Sequence, residues 1–231
     1  MIEKLLFPAR CPICDGVLSG GLKICTECRV VPRKVSGARC MKCSKHIEDS
    51  NEQFCYDCRQ HPKAFRSGIA LYEYDSVRES IEAYKNEGRC EYAKFYASEI
   101  VKNLGNKITL FEADALIPIP LHKNKLKKRG YNQASILAKE ISALINVPVR
   151  EDVLERTKNT KDQKKQGFLM RQNNVQGTFH LVQNDVKLKT IILVDDVYTT
   201  GATIDEATRT LLSGGTERVF FITLAIGIGK S

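Results

Sequence analysis

The chain has 231 residues, of which 42% are hydrophobic, and a formal net charge of +9. This length allows one medium-sized domain and a second, small one, and the composition suits a chain that buries an ordinary core. No apolar run reaches the length of a membrane span, and the first residues, MIEKLLFPARC, lack the pattern of a secretion signal. These features argue against a membrane protein or a secreted one, and a cytoplasmic location is expected.

The first sixty residues contain four C-x-x-C pairs. Each pair supplies two thiolates, and two pairs together complete a tetrahedral zinc site. In a chain without a secretion signal this pattern predicts structural zinc, with disulfides or an iron–sulfur cluster as the alternatives. The cysteines concerned are Cys11, Cys14, Cys25, Cys28, Cys40, Cys43, Cys55 and Cys58.

The cysteine region contains an internal duplication, in which ICTECR at 24–29 matches FCYDCR at 54–59. The repeat favours two sequential zinc sites, one in each copy, although the nearly equal spacings also permit a crossed pairing. Neither pairing leaves an open ligand position, so zinc would supply folding energy rather than chemistry. We therefore expect a zinc-binding module over 1–60 with two sites. It either binds a partner or nucleic acid, or only braces the larger domain, and the sequence does not separate these roles.

Strands and helices are predicted to alternate after a linker at 60–63. The run TIILV at 190–194 is apolar throughout, as in a parallel strand that is covered on both faces. The alternation predicts an α/β domain over 67–231, in which helices flank a parallel sheet. The predicted strands are 67–74, 114–120, 190–194 and 218–225, and the predicted helices are 76–87, 91–104, 132–144 and 202–212.

The positive charge is concentrated in the middle of this domain. Residues 121–171 contain 13 Lys or Arg against 5 Asp or Glu, and so carry +8. A basic segment of this kind favours a polyanionic partner. Its two most charged stretches, KNKLKKR at 123–129 and KNTKDQKKQ at 158–166, fit a solvated charge run as well as a binding surface, and the sequence leaves that choice open.

The stretch VDDVYTTGAT at 194–203 follows the predicted strand at 190–194. Ligands of open α/β sheets bind at the carboxyl ends of the strands. A loop that opens a helix offers amide groups to a phosphate, and its glycine lets the backbone approach closely. The carboxylates of Asp195 and Asp196 can accept hydrogen bonds from sugar hydroxyls. The stretch therefore predicts a ribose 5-phosphate site, with the phosphate held by Thr199, Thr200, Gly201, Ala202 and Thr203.

Several motifs together resemble the ComF/ComFC family of bacterial competence proteins, which is related to amidophosphoribosyltransferases. A strand, DD and TTGAT in this order match the 5-phosphoribosyl-1-pyrophosphate (PRPP) motif of type I phosphoribosyltransferases. The cysteine pairs and RGYNQ narrow the resemblance to this family, and it covers essentially the whole chain. The motifs are the cysteine pairs, IPIPLH (117–122), KKRGYNQA (127–134), R-T-x-x-T-x-x-Q (156–163), R-x-x-N (171–174) and VDDVYTTGAT.

The resemblance implies a type I phosphoribosyltransferase-like fold and a site for PRPP with Mg²⁺. The aspartate pair would bind the ribose hydroxyls, and the loop that follows it would bind the 5-phosphate. Basic residues of 156–171 would lie on a loop that closes over the ligand. Near the pyrophosphate the resemblance implies Pro118, His122, Arg129, Asn132 and Gln133. The candidate catalytic residues are Lys85, Arg129, Asp195 and Asp196.

The resemblance also implies a role in natural transformation, with single-stranded DNA and DNA-uptake or recombination proteins as partners. In one hypothesis the chain binds PRPP as a ligand, while the basic segment and the zinc module engage DNA. In the alternative, an active phosphoribosyltransferase transfers ribose 5-phosphate from PRPP to a nitrogen acceptor without a DNA role. Only Tyr131 and Phe168 accompany the basic run as aromatic residues, so base stacking would contribute little. The sequence does not identify the acceptor.

Overall fold

The computed structural model describes residues 8–19, 21–157, 177–182 and 187–227. The basic stretch 158–171 and the R-x-x-N motif therefore lie outside the described residues. None of the helices in the described part of the chain combines the length and the apolar character needed to cross a membrane. In chain order the elements are α1 (Tyr56–Gln60), β1 (Ser67–Glu73), α2 (Tyr74–Asn86), α3 (Tyr92–Thr109), β2 (Ala115–Pro118), α4 (Lys123–Arg129), α5 (Gln133–Ile145), β3 (Leu154–Arg156), β4 (Phe179–Leu181), β5 (Thr190–Tyr198), α6 (Ala202–Ser213) and β6 (Arg218–Ile226).

Within the described residues, four parallel strands form the central sheet, in the order β1-β6-β5-β2. The strands are largely apolar because both faces of the sheet are covered. Side chains of β5 alternate between two cores: Ile191 and Leu193 pack on one face, and Ile192 and Val194 on the other. The parallel sheet agrees with the fold class predicted from the alternation of strands and helices.

The sheet brings two predicted site regions together at its carboxyl edge. Pro118, the last residue of β2, is the register partner of Val194 in β5. Asp195, the next residue of β5, is the register partner of Thr223 in β6. The loop after β2 therefore begins beside the aspartate pair, where open α/β sheets bind ligands.

Each face of the sheet is covered by helices together with one half of the cysteine region. On one face, α2, α3 and α5 pack with Cys11, Ile13 and Cys28. On the other face, α6 and the antiparallel β3–β4 pair share a core with the cysteines from Cys40 to Cys58. The two halves of the cysteine region thus extend two different hydrophobic cores of the larger domain.

The cysteine region also covers the edge strand β1. The amide of Val35 donates to the carbonyl of Leu71 at 2.9 Å, and the amide of Glu73 donates to the carbonyl of Arg33 at 2.8 Å. Lys34 forms an antiparallel bridge with Tyr72 between these two contacts. This pairing occupies backbone groups of β1 that an exposed sheet edge would leave open.

The structure differs from the sequence prediction at several boundaries. β5 continues through the aspartate pair to Tyr198, because β6 pairs with it over this length, so the two aspartates lie inside the strand rather than after it. The charged run at 123–129 forms helix α4, which buries no side chain and ends at Gly130, where φ is +86°. Helix α3 extends to Thr109, beyond the predicted end at 104. The sequence does not predict the β3–β4 pair, since strands of three residues are too short to show an alternating pattern.

Candidate functional site

The turn between β5 and α6 leads from the carboxyl end of a strand directly into the first turn of a helix. β5 ends at Tyr198 and α6 begins at Ala202, so the residues between them form a tight loop. Gly201 precedes the helix with φ of +74°, a left-handed conformation that glycine adopts readily. The first turn of α6 leaves amide groups without partners inside the helix, and such groups bind phosphate. Thr199 is exposed and Thr203 half-buried, so both hydroxyls lie near solvent at this helix end.

Gly201 has no room for a side chain. A Cβ atom at this position would lie 2.2 Å from Oη of Tyr198 and 2.5 Å from its Cζ. Thr200 is buried next to it, and the amide of Ala202 donates to Oγ1 of Thr200 at 3.4 Å. The conformation of the 199–203 loop therefore depends on the glycine and on the position of the Tyr198 ring.

Asp196 is buried and engaged through both carboxylate oxygens. Nζ of Lys85 lies 2.8 Å from Oδ1, and Nε2 of Gln133 donates to Oδ2 at 2.6 Å. The side chains of Lys85 and Asp196 are 19% and 8% exposed. Burial acts to lower the pKa of the Lys85 amine, but the Asp196 carboxylate outweighs this effect and raises that pKa. The pair is therefore an ion pair that is largely shielded from water.

Asp195 is in a different environment, since consecutive residues of a strand face opposite sides. It is partly exposed, and its Oδ1 accepts a hydrogen bond from the amide of Asp196 at 2.9 Å. Burial and the charge of Asp196 raise the pKa of Asp195 to about 7, although Lys85 and Arg156 act to lower it. Asp195 therefore changes its protonation state near neutral pH. A ligand that brings a cation or hydroxyl donors would favour the charged form.

Arg156 is a site residue that the sequence assigns only to a loop. The structure places it on β3, where its guanidinium lies over the ring of Phe179, 5.5 Å from the centroid. Burial lowers the pKa of Arg156, and the carboxylate of Asp195 opposes this effect. A half-buried cation on β3 therefore acts electrostatically on Asp195. The R-T motif alone does not reveal this, because β3 is too short to be predicted.

The RGYNQ turn joins α4 to α5 and brings Arg129 and Gln133 to the aspartate pair. Arg129 donates to Oε1 of Gln133, and its Nη2 donates to Oδ1 of Asn86 at 3.2 Å. The backbone carbonyl of Gln133 accepts a hydrogen bond from Oη of Tyr84 at 2.6 Å. Since Gln133 also donates to Asp196, a continuous chain of hydrogen bonds links the turn to β5. The sequence predicts Arg129 and Gln133 at the site but not Tyr84.

Asn132 and His122 shape the approach from β2. Oδ1 of Asn132 accepts a hydrogen bond from the amide of Ala134 and so caps α5, while its Nδ2 donates to the carbonyl of Ile119 at 3.1 Å. Nδ1 of His122 accepts a hydrogen bond from the amide of Asn124 at 3.2 Å and caps α4. Both residues therefore hold local structure beside the site, and their predicted contact with a ligand stays a prediction.

The eight paired cysteines form two groups of four in sequential pairing. Within each group the Sγ atoms lie within 4.8 Å of one another. Sγ atoms of Cys14 and Cys25 are 3.8 Å apart, and those of Cys43 and Cys55 are 3.6 Å apart. A tetrahedral site with Zn–S bonds of about 2.3 Å has edges of about 3.8 Å, so the geometry fits structural zinc and not disulfides. We call the groups the first cluster (Cys11, Cys14, Cys25, Cys28) and the second cluster (Cys40, Cys43, Cys55, Cys58).

Comparisons with known proteins find a matching family for the cysteine region and another for the α/β domain. Residues 2–59 match the double zinc ribbon domain, and residues 84–230 match the phosphoribosyl transferase domain. The competence protein ComFC of Bacillus subtilis is 30% identical to this chain, in an alignment that covers 93% of this chain and 91% of ComFC. The chain belongs to the ComF/ComFC family. The family, the phosphoribosyltransferase-like fold and the cysteine module predicted from the sequence are therefore confirmed.

Two further relatives of this ComF/ComFC chain match over most of their length. Competence protein F of Haemophilus influenzae is 27% identical, over 92% of this chain and 95% of the relative. The DNA utilization protein YhgH of Escherichia coli is 26% identical, over 93% of this chain and 96% of the relative. Among solved structures, a purine phosphoribosyltransferase from Pyrococcus horikoshii is 17% identical and covers 57% of this chain and 73% of its own, with a TM-score of 0.36.

Proposed function

We propose that this ComF/ComFC chain binds PRPP, or a related phosphosugar, and acts with single-stranded DNA in natural transformation. The observation that carries the proposal is the convergence of three features on the carboxyl edge of one sheet. These are the aspartate pair on β5, the 199–203 loop at the start of α6, and the cation Lys85 at the end of α2. Carboxylates, amide groups and a cation are the groups that a phosphorylated sugar requires.

The 199–203 loop would hold the 5-phosphate through its amide groups and threonine hydroxyls, and Gly201 would let the backbone approach. Asp195 would accept hydrogen bonds from the ribose hydroxyls, because it is the partly exposed member of the pair. Each oxygen of Asp196 can accept a second hydrogen bond beside those from Lys85 and Gln133. Asp196 would therefore contribute to the same hydroxyls from a fixed position.

The pyrophosphate would lie toward the loop after β2 and the RGYNQ turn, near Pro118, His122, Arg129 and Asn132. Mg²⁺ would accompany PRPP, since this hard cation prefers carboxylate and phosphate oxygens, and Asp195 is the carboxylate that remains partly exposed. When bound, Mg²⁺ would neutralise part of the charge on the pyrophosphate. Arg156, whose charge acts on Asp195, would add a positive charge to the site.

Helix α4 supports the DNA role. It lies between the loop after β2 and the RGYNQ turn, buries no side chain, and carries Lys123, Lys125, Lys127 and Lys128. Relatives bear the names competence protein and DNA utilization protein. Contacts between these lysines and DNA phosphates would make the affinity depend steeply on salt. DNA-uptake or recombination proteins in the cytoplasm would be the partners.

The second candidate function is an active phosphoribosyltransferase, which the phosphoribosyl transferase domain match favours. In this reaction the lone pair of an acceptor nitrogen forms a bond to ribose C1. The bond from C1 to the pyrophosphate oxygen breaks, pyrophosphate leaves with the electron pair, and the acceptor nitrogen releases a proton. Basic groups around the pyrophosphate would stabilise the charge that develops on the leaving group.

The release of pyrophosphate from PRPP with candidate nitrogen acceptors, with and without single-stranded DNA, tests the two functions. Binding of PRPP without release supports a ligand-binding protein, and release with an acceptor supports the enzyme. Asp195→Asn is the site variant for this assay, since it keeps the shape of the side chain and removes its charge. If the unmutated chain neither binds PRPP nor releases pyrophosphate, the proposed function is wrong.

A further inference from the structure

The second cluster and the 199–203 loop belong to one hydrophobic core. Cys40, Cys43, Cys55 and Cys58 are buried, and they pack in the same core as Phe65, Tyr198 and Ile204. Tyr198 immediately precedes the loop, and Ile204 lies in the first turn of α6. The second cluster therefore shares its core with the residues on either side of the loop.

The ring of Tyr198 is held between aromatic neighbours and the loop. It stacks on Phe221 with centroids 4.9 Å apart and an interplanar angle of 5°, and it meets the edge of Phe65 at 6.3 Å. Its hydroxyl lies against Gly201, because a Cβ atom on that residue would be only 2.2 Å from Oη of Tyr198. Burial raises the pKa of Tyr198, so the phenol stays protonated. Tyr198 thus touches the loop on one side and packs toward the cluster on the other.

The segment that follows the second cluster in the sequence forms a hydrogen bond to the start of α6, directly after the loop. The amide of Ala64 donates to Oδ1 of Asp205, in the first turn of α6, at 2.5 Å. Within the cluster, the carbonyl of Lys42 accepts a hydrogen bond from the amide of Gly68 in β1 at 2.9 Å. Nζ of Lys42 also lies 5.6 Å from the ring centroid of Phe65. The cluster is therefore fastened both to the sheet and to the start of α6.

We propose that the zinc-loaded second cluster holds the 199–203 loop in its anion-binding shape, with Tyr198 as the positioning residue between them. The choice of ligand rests on the proposed function, whereas the coupling between the second cluster and the loop does not. The first cluster provides an internal comparison, because it packs on the opposite face of the sheet, where the carbonyl of Pro12 accepts hydrogen bonds from Ser80 and Tyr96. Loss of metal from the second cluster should therefore affect the loop more than loss from the first.

Three variants of the full chain test this difference. Cys25→Ser and Cys55→Ser remove the third ligand of the first and second cluster, while Cys55→His keeps a zinc ligand at that position. The readouts are zinc content, hydrogen exchange of the amides at 199–205, and affinity for ribose 5-phosphate. Cys55→Ser should lose one zinc, exchange about tenfold faster in the loop and bind about tenfold more weakly. Cys25→Ser should change the exchange rate of the loop by less than about threefold, and Cys55→His should restore both values that Cys55→Ser changes.

Unchanged loop exchange in Cys55→Ser after loss of its zinc would overturn the proposal, as would an equal effect in Cys25→Ser. If Cys55→Ser does not fold, Tyr198→Leu decides instead, because it retains all eight zinc ligands. It should keep two zinc ions and still speed exchange in the loop, and unchanged exchange would contradict the coupling. If the unmutated chain binds neither ribose 5-phosphate nor PRPP, the proposed function fails, while the exchange measurement still tests the coupling.

Discussion

Nζ of Lys85 lies 2.8 Å from Oδ1 of Asp196, although the two residues belong to elements far apart in the sequence. Lys85 lies in the last turn of α2, and Asp196 lies near the end of β5. Gln133 at the start of α5 completes the contact from a third element. This arrangement fixes Asp196 inside the protein, while its neighbour Asp195 is only partly exposed. The repulsion between the two adjacent carboxylates is therefore reduced, because Lys85 neutralises Asp196 and the pKa of Asp195 is raised.

Replacing Lys85 by Met should destabilise the chain by about 3 kcal/mol, because it leaves the buried Asp196 charge without its partner. Urea unfolding with the zinc sites loaded measures the change. Lys139→Met is the matched control, since it breaks a pair with Glu151 in which Lys139 is 59% exposed, and it should cost less than about 1 kcal/mol. Adding Asp196→Asn to Lys85→Met should recover part of the loss. Equal effects of the two lysine variants would contradict a shielded ion pair.

The raised pKa of Asp195 predicts a pH-dependent gain of stability on mutation to Asn. Its pKa is about 7 in the folded chain against an ordinary value of 3.8. Between these values the folded state holds a proton that the unfolded state has released, so the contribution of Asp195 to stability falls as pH rises from 4 to 7. Asp195→Asn should therefore raise the melting temperature more at pH 8 than at pH 5. Each kcal/mol gained in the free energy of unfolding corresponds to a rise of about 2–4 °C in a chain of this size.

Asp152→Asn is the control for this pH experiment. Hydrogen bonding from Arg150 lowers the pKa of Asp152, so its removal should not produce a gain that grows with pH. A gain from Asp195→Asn that is the same at pH 5 and pH 8 would show that Asp195 is already ionised throughout this range.

Gly201→Ala should weaken binding of ribose 5-phosphate, because its Cβ would collide with Tyr198. Such overpacking costs about 1–3 kcal/mol, which corresponds to about tenfold or more in affinity if the loop carries the strain. Gly88→Ala separates the collision from backbone strain, since Gly88 also has φ of +74° but no atom within 4 Å of a Cβ. Calorimetric titration should show a large loss for Gly201→Ala and a small one for Gly88→Ala. Similar affinities in both variants would argue against the loop as the phosphate site.

Neutralising Lys127 and Lys128 on α4 should lower affinity for single-stranded DNA and reduce its salt dependence. Each lysine that no longer neutralises a DNA phosphate should flatten the slope of log K against log salt by about 0.7. Both lysines are exposed, as are Lys102 and Lys107 on α3, which makes Lys102→Gln with Lys107→Gln the charge-matched control. Fluorescence anisotropy over a range of salt concentrations measures the slopes. The same slope for both double variants would mean that α4 is not the binding surface.

Much of the site is predictable from the sequence because its signals are local. The order of an apolar strand, two acids and a threonine- and glycine-rich turn specifies Asp195, Asp196 and the 199–203 loop without long-range information. The spacing of the C-x-x-C pairs likewise predicts two tetrahedral clusters, and the repeat favours the sequential pairing that the structure has. Lys85, Arg129 and Gln133 depended on the family resemblance, since nothing local places them beside Asp196.

The remaining features depend on tertiary packing. β5 extends through the acids because β6 pairs with it, and a polar pair inside an apolar run looks like the end of a strand. Arg156 reaches Asp195 from a strand of three residues, which carries no periodic signal. Tyr198 looks like an ordinary strand residue, and its role beneath Gly201 becomes visible only when the loop folds back over its ring.

Calorimetric titration of the zinc-loaded chain with PRPP in the presence of Mg²⁺ tests the central claim most directly. We expect one binding site in the unmutated chain, and at least about tenfold weaker binding in Asp195→Asn, because a charge-assisted hydrogen bond or cation contact is removed. Asp152→Asn should bind as tightly as the unmutated chain. Absence of PRPP binding by the unmutated chain, or equal affinity in Asp195→Asn, would contradict a phosphosugar site at the carboxyl end of β5.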